Sequence, residues 1–141
     1  TRRLDRGSAI EGIGRPRVEP SVIPTVIDRM IKVPDCASFA AMFLLNTLIG
    51  RRAGPSTGTN LWGAVELMDG MRRNGETGSV VTLICDAGER YLGTYYDDAW
   101  MAGRRFELGP WRDQLAQFAA TGAWIARAEQ ARHLDRIDAA R

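Results

Sequence analysis

From Asp35 onward the apolar residues Phe39, Phe43, Leu44 and Leu48 recur at near-helical spacing. Asp35 is a good N-cap and Gly50 a good stop, so the pattern predicts a buried helix over 35–49. A second helix is predicted from about Thr57 to Arg73, with Leu61, Val65 and Met68 on one face and Asn74-Gly75 as the turn beyond it. Between the two, Arg51-Arg52-Ala53 reads as a brief extended piece. Ser79 to Ile84 is a β-branched, apolar run of the length of an interior parallel strand, and Arg29 to Val33 is a shorter strand stopped by Pro34. Asp97 to Met101 reads as one helical turn, and two more helices are predicted at about 110–120 and 123–139, split at Thr121-Gly122. Residues 1–24 differ: Pro16, Pro20 and Pro24 forbid a long helix and leave an extended or turning segment.

Helices of crossover length alternating with short strands predict one half of a layered α/β fold. A sheet of two or three strands exposes edges and apolar faces, so the pattern also predicts a fragment or an obligate complex. At 141 residues, 45% apolar and 26% charged, the chain has the size and composition of one globular domain. Fifteen Gly and six Pro argue against a fibre or a pure bundle.

A formal charge of +2 gives no global attraction for nucleic acid or an anionic membrane, and no apolar run approaches the ~20 residues of a span. Eighteen of the nineteen basic residues are Arg, so Lys32 is the one side-chain amine available as a nucleophile. Cys36, Cys85 and His133 form no cluster with metal-ligand spacing, which predicts no metal site and two buried, reduced thiols of a soluble cytoplasmic protein. The chain opens on Thr1-Arg2-Arg3 without an initiator Met or an apolar signal region, from which we expect a piece of something longer.

Gly54-Pro-Ser-Thr-Gly-Thr-Asn60 at a helix start offers hydroxyls and free amide N–H groups, as a phosphate cradle would. It is equally a proline turn with a Ser/Thr cap, and the local residues alone favour that plainer reading. The spacing is not that of a Walker loop, and Gly12-Ile-Gly14 lacks the third glycine of a dinucleotide fingerprint. Asp86 and Glu89 follow a strand end, where open α/β sheets place ligands, or else belong to a solvated loop with a salt bridge to Arg90. Tyr91, Tyr95, Tyr96 and Trp100 lack the basic stripe of a base-stacking surface and read as packing side chains. The Arg pairs 51/52, 72/73 and 104/105 and His133 read as solvated.

Four stretches, taken in order and at these separations, carry a resemblance: Glu11-Gly-Ile-Gly14; Ile23-Pro-Thr-Val-Ile-Asp28; Gly54-Pro-Ser-Thr-Gly58; and Val80-Val-Thr-Leu-Ile-Cys-Asp-Ala-Gly-Glu-Arg-Tyr91 with Asp98-Ala-Trp-Met101. Over about residues 10–101 the chain resembles the C-terminal half of the cysteine synthase and cystathionine β-synthase family, pyridoxal-phosphate enzymes of the tryptophan synthase β-chain fold. The resemblance implies part of a three-layer αβα fold with a mainly parallel sheet, followed by C-terminal helices. It implies that residues 1–109 are the C-terminal part of the cofactor domain and 110–141 a helical extension.

By the same resemblance Ser56 would hydrogen-bond the pyridine nitrogen of pyridoxal 5'-phosphate, Gly12 and Gly14 would admit backbone to the cofactor cleft, and Asp86 would lie in the loop beside the ring. The family often has Pro-Asp-Ser or Pro-Ser-Ser in that loop; Cys85-Asp86-Ala87 lacks the Pro and the second hydroxyl. The family's cofactor-bearing lysine, its Asn at the cofactor ring and its phosphate loop precede the Glu11–Gly14 segment, and Lys32 matches none of them. The implied function is the C-terminal portion of an enzyme of cysteine metabolism that acts on a small amino-acid substrate. The reaction would be β-replacement (O-acetylserine plus sulfide giving cysteine) or β-elimination (cysteine giving pyruvate, ammonia and sulfide), with a homodimer expected of the full-length protein and no activity of this portion alone. The alternative is a non-catalytic domain that uses its sheet edge and charged last helix to bind a protein partner.

Overall fold

The computed structural model describes residues 7–14 and 18–124; the helix expected over 123–139, with His133, falls almost wholly outside them. Among the described residues there are four helices, α1 (Asp35–Ile49), α2 (Pro55–Arg73), α3 (Asp98–Gly103) and α4 (Gly109–Thr121), with 3-10 turns at Pro24–Val26 and Gly88–Tyr91. Helix α1 ends as its sequence predicts, on Gly50 in the left-handed region (φ +68°) with its N–H on the Asn46 carbonyl. Its start differs. Pro34 holds the N-cap position and Asp35 is the first helical residue, its carboxylate turned outward to accept from the Ser8 hydroxyl (2.5 Å) and the Ala9 N–H (2.6 Å). Helix α2 begins two residues earlier than expected because Pro55 fits the first helical position, where a missing N–H costs nothing.

Helices α1 and α2 approach so closely that a Cβ added at Gly58 would sit 2.0 Å from the Ser38 carbonyl oxygen and 2.7 Å from the Met42 nitrogen. Small residues on α1 permit this: Ala37, Ala40 and Ala41 are buried against Trp62 of α2, with Trp111 and Leu115 of α4 closing the cluster. Helix α4 therefore shares a core with α1 and α2. A second cluster, Ile10, Phe39, Met42, Tyr91 and Tyr95, occupies the other flank of α1 and joins the loop at 8–14 to the segment at 88–96.

The helical half of the α/β expectation is met and the sheet half is not: among the described residues there is no strand, and one antiparallel bridge, Ala53 to Ala87, stands alone. The segments expected as strands, 29–33 and 79–84, have no regular secondary structure and do not pair. Both line a groove of about 230 Å³, Ile31 from one and Val80 and Val81 from the other, together with Gly63 and Ala64 of α2. In consequence Val81 is 90% and Leu83 73% exposed. The expectation of two buried thiols is corrected as well: Cys36 is half-buried, while Cys85, at the open end of the 79–84 segment, is exposed.

Candidate functional site

The Ser56 turn is built from both sides. Before it, Ala53 gives its N–H to Asn46 Oδ1 (2.9 Å) and its carbonyl accepts from the Tyr96 hydroxyl (2.6 Å), while Asn46 Nδ2 donates to that same hydroxyl (2.7 Å). Beside it, the Gly54 N–H donates to the Asp86 carbonyl (2.8 Å) and the Gly88 N–H to the Arg52 carbonyl (3.2 Å). After it, the buried Thr57 hydroxyl accepts from the Cys85 N–H (2.9 Å), and Asn60 Nδ2 donates to the Leu83 carbonyl (3.1 Å). These bonds seat the end of the 79–84 segment on the first turn of α2. Two glycines make the contact possible: a Cβ at Gly54 would lie 2.9 Å from Tyr91 Cε2, and one at Gly88 would lie 2.4 Å from Arg52 Cβ.

Ser56 itself, at the second position of α2, is half-buried, and its hydroxyl has no partner among the described residues. Asp86 is exposed and its carboxylate accepts from the Tyr91 hydroxyl (2.7 Å). Burial, then the bond and charge of Asp86, push the Tyr91 phenol up to about 12, so it stays a neutral donor across the working pH range. Burial also raises the Tyr96 phenol, against the opposing hydrogen bond from Asn46. Arg90 pairs with Glu11 at 3.6 Å instead of with Asp86 or Glu89, and both partners are exposed, so the contact adds little. A small cavity of about 150 Å³ beside Asp86 is lined by Arg51, Arg52, Cys85 and Glu89.

Gly12 and Gly14 have φ of +83° and +67°, and they shape a loop closed by the Ser8 N–H on the Gly14 carbonyl (3.0 Å). A Cβ at Gly14 would lie 2.2 Å from Ser8 Cβ, so the second glycine is what lets the loop close. Tyr95 holds this loop: its hydroxyl donates to the Ala9 carbonyl (3.0 Å) and accepts from the Glu11 N–H (3.0 Å). The structure thus ties the Asp86 backbone to Gly54, two residues before Ser56. It joins Gly12 and Gly14 to them through the Tyr95 ring, 5.2 Å from that of Tyr91. Lys32 is exposed on the segment that leads into α1.

Sequence reasoning assigned the tyrosines to packing, which they do, and missed their hydroxyls. It also missed Asn46, although an Asn inside the most apolar run of the chain is a signal, since a polar group among apolar neighbours requires a bonding partner. A half-buried hydroxyl at a helix N-terminus, with no partner among the described residues, is free to donate to a neutral acceptor such as a heteroaromatic ring nitrogen.

No family model matches the chain. It is 50% identical over 121 residues to an L-cysteine desulfhydrase of Mycobacterium tuberculosis, covering 86% of this chain and 33% of that protein. It is 38% identical over 79 residues to a putative cysteine synthase of Sinorhizobium fredii (56% of this chain, 23% of the relative). It is 33% identical over 93 residues to an N-(2-amino-2-carboxyethyl)-L-glutamate synthase of Cupriavidus metallidurans (66% and 27%). The chain thus spans about a third or less of the length of each relative. With the four stretches in order, these identities make the chain similar to one part of enzymes of the cysteine synthase and cystathionine β-synthase family.

Proposed function

We propose that this chain is the C-terminal portion of a pyridoxal-phosphate-dependent enzyme of cysteine metabolism. Identity of 50% to an L-cysteine desulfhydrase over 86% of the chain favours β-elimination of cysteine over β-replacement. The observation that carries the reading is the Ser56 hydroxyl, half-buried at the start of α2 with no protein partner among the described residues. Bound pyridoxal phosphate supplies the electron sink that loosens substituents at the substrate Cα and Cβ. Ser56 would donate to its ring nitrogen. A neutral hydroxyl on the positive end of a helix discourages a proton on that nitrogen, which tempers the sink. Gly12 and Gly14 would let the 8–14 loop backbone reach the cleft, and Asp86, held by Tyr91, would border the ring on the side of the 85–87 loop.

In this reading residues 1–109 complete the cofactor domain and 110–141 extend it, while segments 29–33 and 79–84 join a mainly parallel sheet of a three-layer αβα fold in the whole, cytoplasmic, homodimeric enzyme. The lysine that carries the cofactor would come from the rest of the protein, Lys32 being exposed on the segment leading into α1. The test is the intact gene product incubated with pyridoxal phosphate, followed by visible absorbance and by sulfide released from cysteine. We expect a band and sulfide release, with cofactor affinity weakened about three- to tenfold in Ser56→Ala, the loss of one hydrogen bond. An intact product with neither band nor turnover would refute the reading.

A further inference from the structure

Within six residues, three phenols reach three separate stretches of chain. Tyr91 donates to the Asp86 carboxylate, Tyr95 bonds Ala9 and Glu11 of the glycine loop, and Tyr96 bonds the carbonyl of Ala53 ahead of the Ser56 turn. These are the same stretches that would line the cofactor. The rings are anchored on α1 in two groups, Tyr95 5.2 Å from both Tyr91 and Phe39, and Tyr96 set edge-on to Phe43 at 5.8 Å. Asn46 of α1 completes the Tyr96 contact. It accepts from Ala53 and donates to the phenol, so that both polar groups of the Ala53 backbone are bound by side chains.

We propose that Tyr91, Tyr95 and Tyr96 are positioning residues that set the mutual placement of the three cofactor-lining stretches, with the Tyr96–Asn46 pair fixing where the Ser56 hydroxyl stands. The inference rests on the cofactor reading above. Its physical basis is leverage: Ser56 lies three residues beyond Ala53, and the intervening Gly54 is held by its N–H on the carbonyl of Asp86, the residue that Tyr91 binds, so the turn rests on the Tyr96 and Tyr91 anchors together. A shift at Ala53 is therefore carried to Ser56, and displacements of ~1 Å suffice to misalign a catalytic contact.

The experiment compares the intact gene product with its Tyr96→Phe variant, which keeps the ring and its contact with Phe43 and removes only the hydroxyl. Amide hydrogen exchange without cofactor should rise about tenfold in peptides covering 52–58 and stay unchanged in α4. Cofactor affinity should fall about three- to tenfold, and the circular dichroism of the bound cofactor should change, which a tyrosine that merely stabilised the fold would not cause. Should Tyr96→Phe fail to fold, Asn46→Asp replaces it. That carboxylate still accepts from Ala53 but draws the phenol proton away from the Ala53 carbonyl, and the same three changes are expected. Unchanged exchange at 52–58 overturns the positioning role. Raised exchange with unaltered affinity and dichroism overturns its link to the cofactor. A wild-type protein that binds no pyridoxal phosphate overturns the cofactor reading, and this role with it.

Discussion

Gly58→Ala tests whether the α1–α2 contact is set by the absence of a side chain. The added methyl carbon would lie 2.0 Å from the Ser38 carbonyl oxygen, 2.7 Å from the Met42 nitrogen and 2.9 Å from Met42 Cβ. The two nearest atoms are backbone, so no rotamer change relieves the clash, and the helices must separate by over an ångström. Overpacking of this kind costs ~1–3 kcal/mol, and a contact made to backbone belongs at the upper end. Alanine returns ~1 kcal/mol of helix propensity, leaving a net loss of ~2 kcal/mol, or a fall of ~8 °C in Tm for a chain of this size. Gly63 in the same helix is the control. Nothing lies within 4 Å of a Cβ there, so Gly63→Ala should stabilise by up to ~1 kcal/mol. Urea unfolding followed by tryptophan fluorescence reads both, because Trp62 and Trp111 sit 5.4 Å apart in the core that these helices share. A Gly58→Ala protein as stable as wild type, or a Gly63→Ala protein equally damaged, would refute the packing argument.

Two further outcomes follow from buried groups. Asp69 is buried against Arg72 (3.0 Å) and Arg73 (2.8 Å); burial works to raise its pKa, but the Arg72 bond, the Arg73 charge and the Trp124 N–H together hold it below the usual carboxylate value. Its stabilising effect is therefore complete above the unfolded value of about 3.9 and lost as pH falls through the folded one, so Asp69→Asn should flatten the acid limb of stability against pH, and parallel limbs would contradict the assignment. Phe39, fully buried with its ring 5.2 Å from Tyr95 and 4.8 Å from Phe106, should cost ~3–5 kcal/mol as Phe39→Ala in thermal melts; a loss under ~1 kcal/mol would show that the flank supporting the glycine loop collapses around the gap.

The helices were legible because their signals are local: the Gly50 stop and the apolar spacing act within a turn and stand where expected, while α2 starts at Pro55, two residues before the predicted Thr57. The Asp35 cap failed because its carboxylate had a competing use, the Ser8 hydroxyl and Ala9 N–H of a loop 26 and 27 residues away, which no local pattern encodes. For the site, Ser56, Asp86 and the two glycines were named by resemblance to a family, whereas the bond of the Gly54 N–H to the Asp86 carbonyl was not anticipated. What fastens them was not visible. Hydrogen bonds between Asn46 and Tyr96, 50 positions apart, or Tyr95 and Ala9, 86 apart, depend on tertiary placement alone.

The unpaired segments 29–33 and 79–84 show how a correct local preference can lack its structure. The run Val80-Val-Thr-Leu-Ile84 has the β-branched, two-sided apolar character of a strand buried on both faces, yet it forms no strand. The segment meets α2 through Asn60 and the groove lined by Gly63 and Ala64. Val81 and Leu83 are left in water, and a helix cannot satisfy the backbone edge of a strand, because its own N–H and C=O groups are already paired along its axis. Only another extended chain can do that. The periodicity of a sequence thus reports the environment a segment is suited to, whereas the ladder depends on a neighbour that periodicity does not name. The same logic explains why the helix-borne parts of the site are held here: the tyrosine hydroxyls draw their hydrogen-bond partners from residues 9–86 and the helices pack on one another and on α4, so the Ser56 turn can be held in place whether or not a sheet is formed.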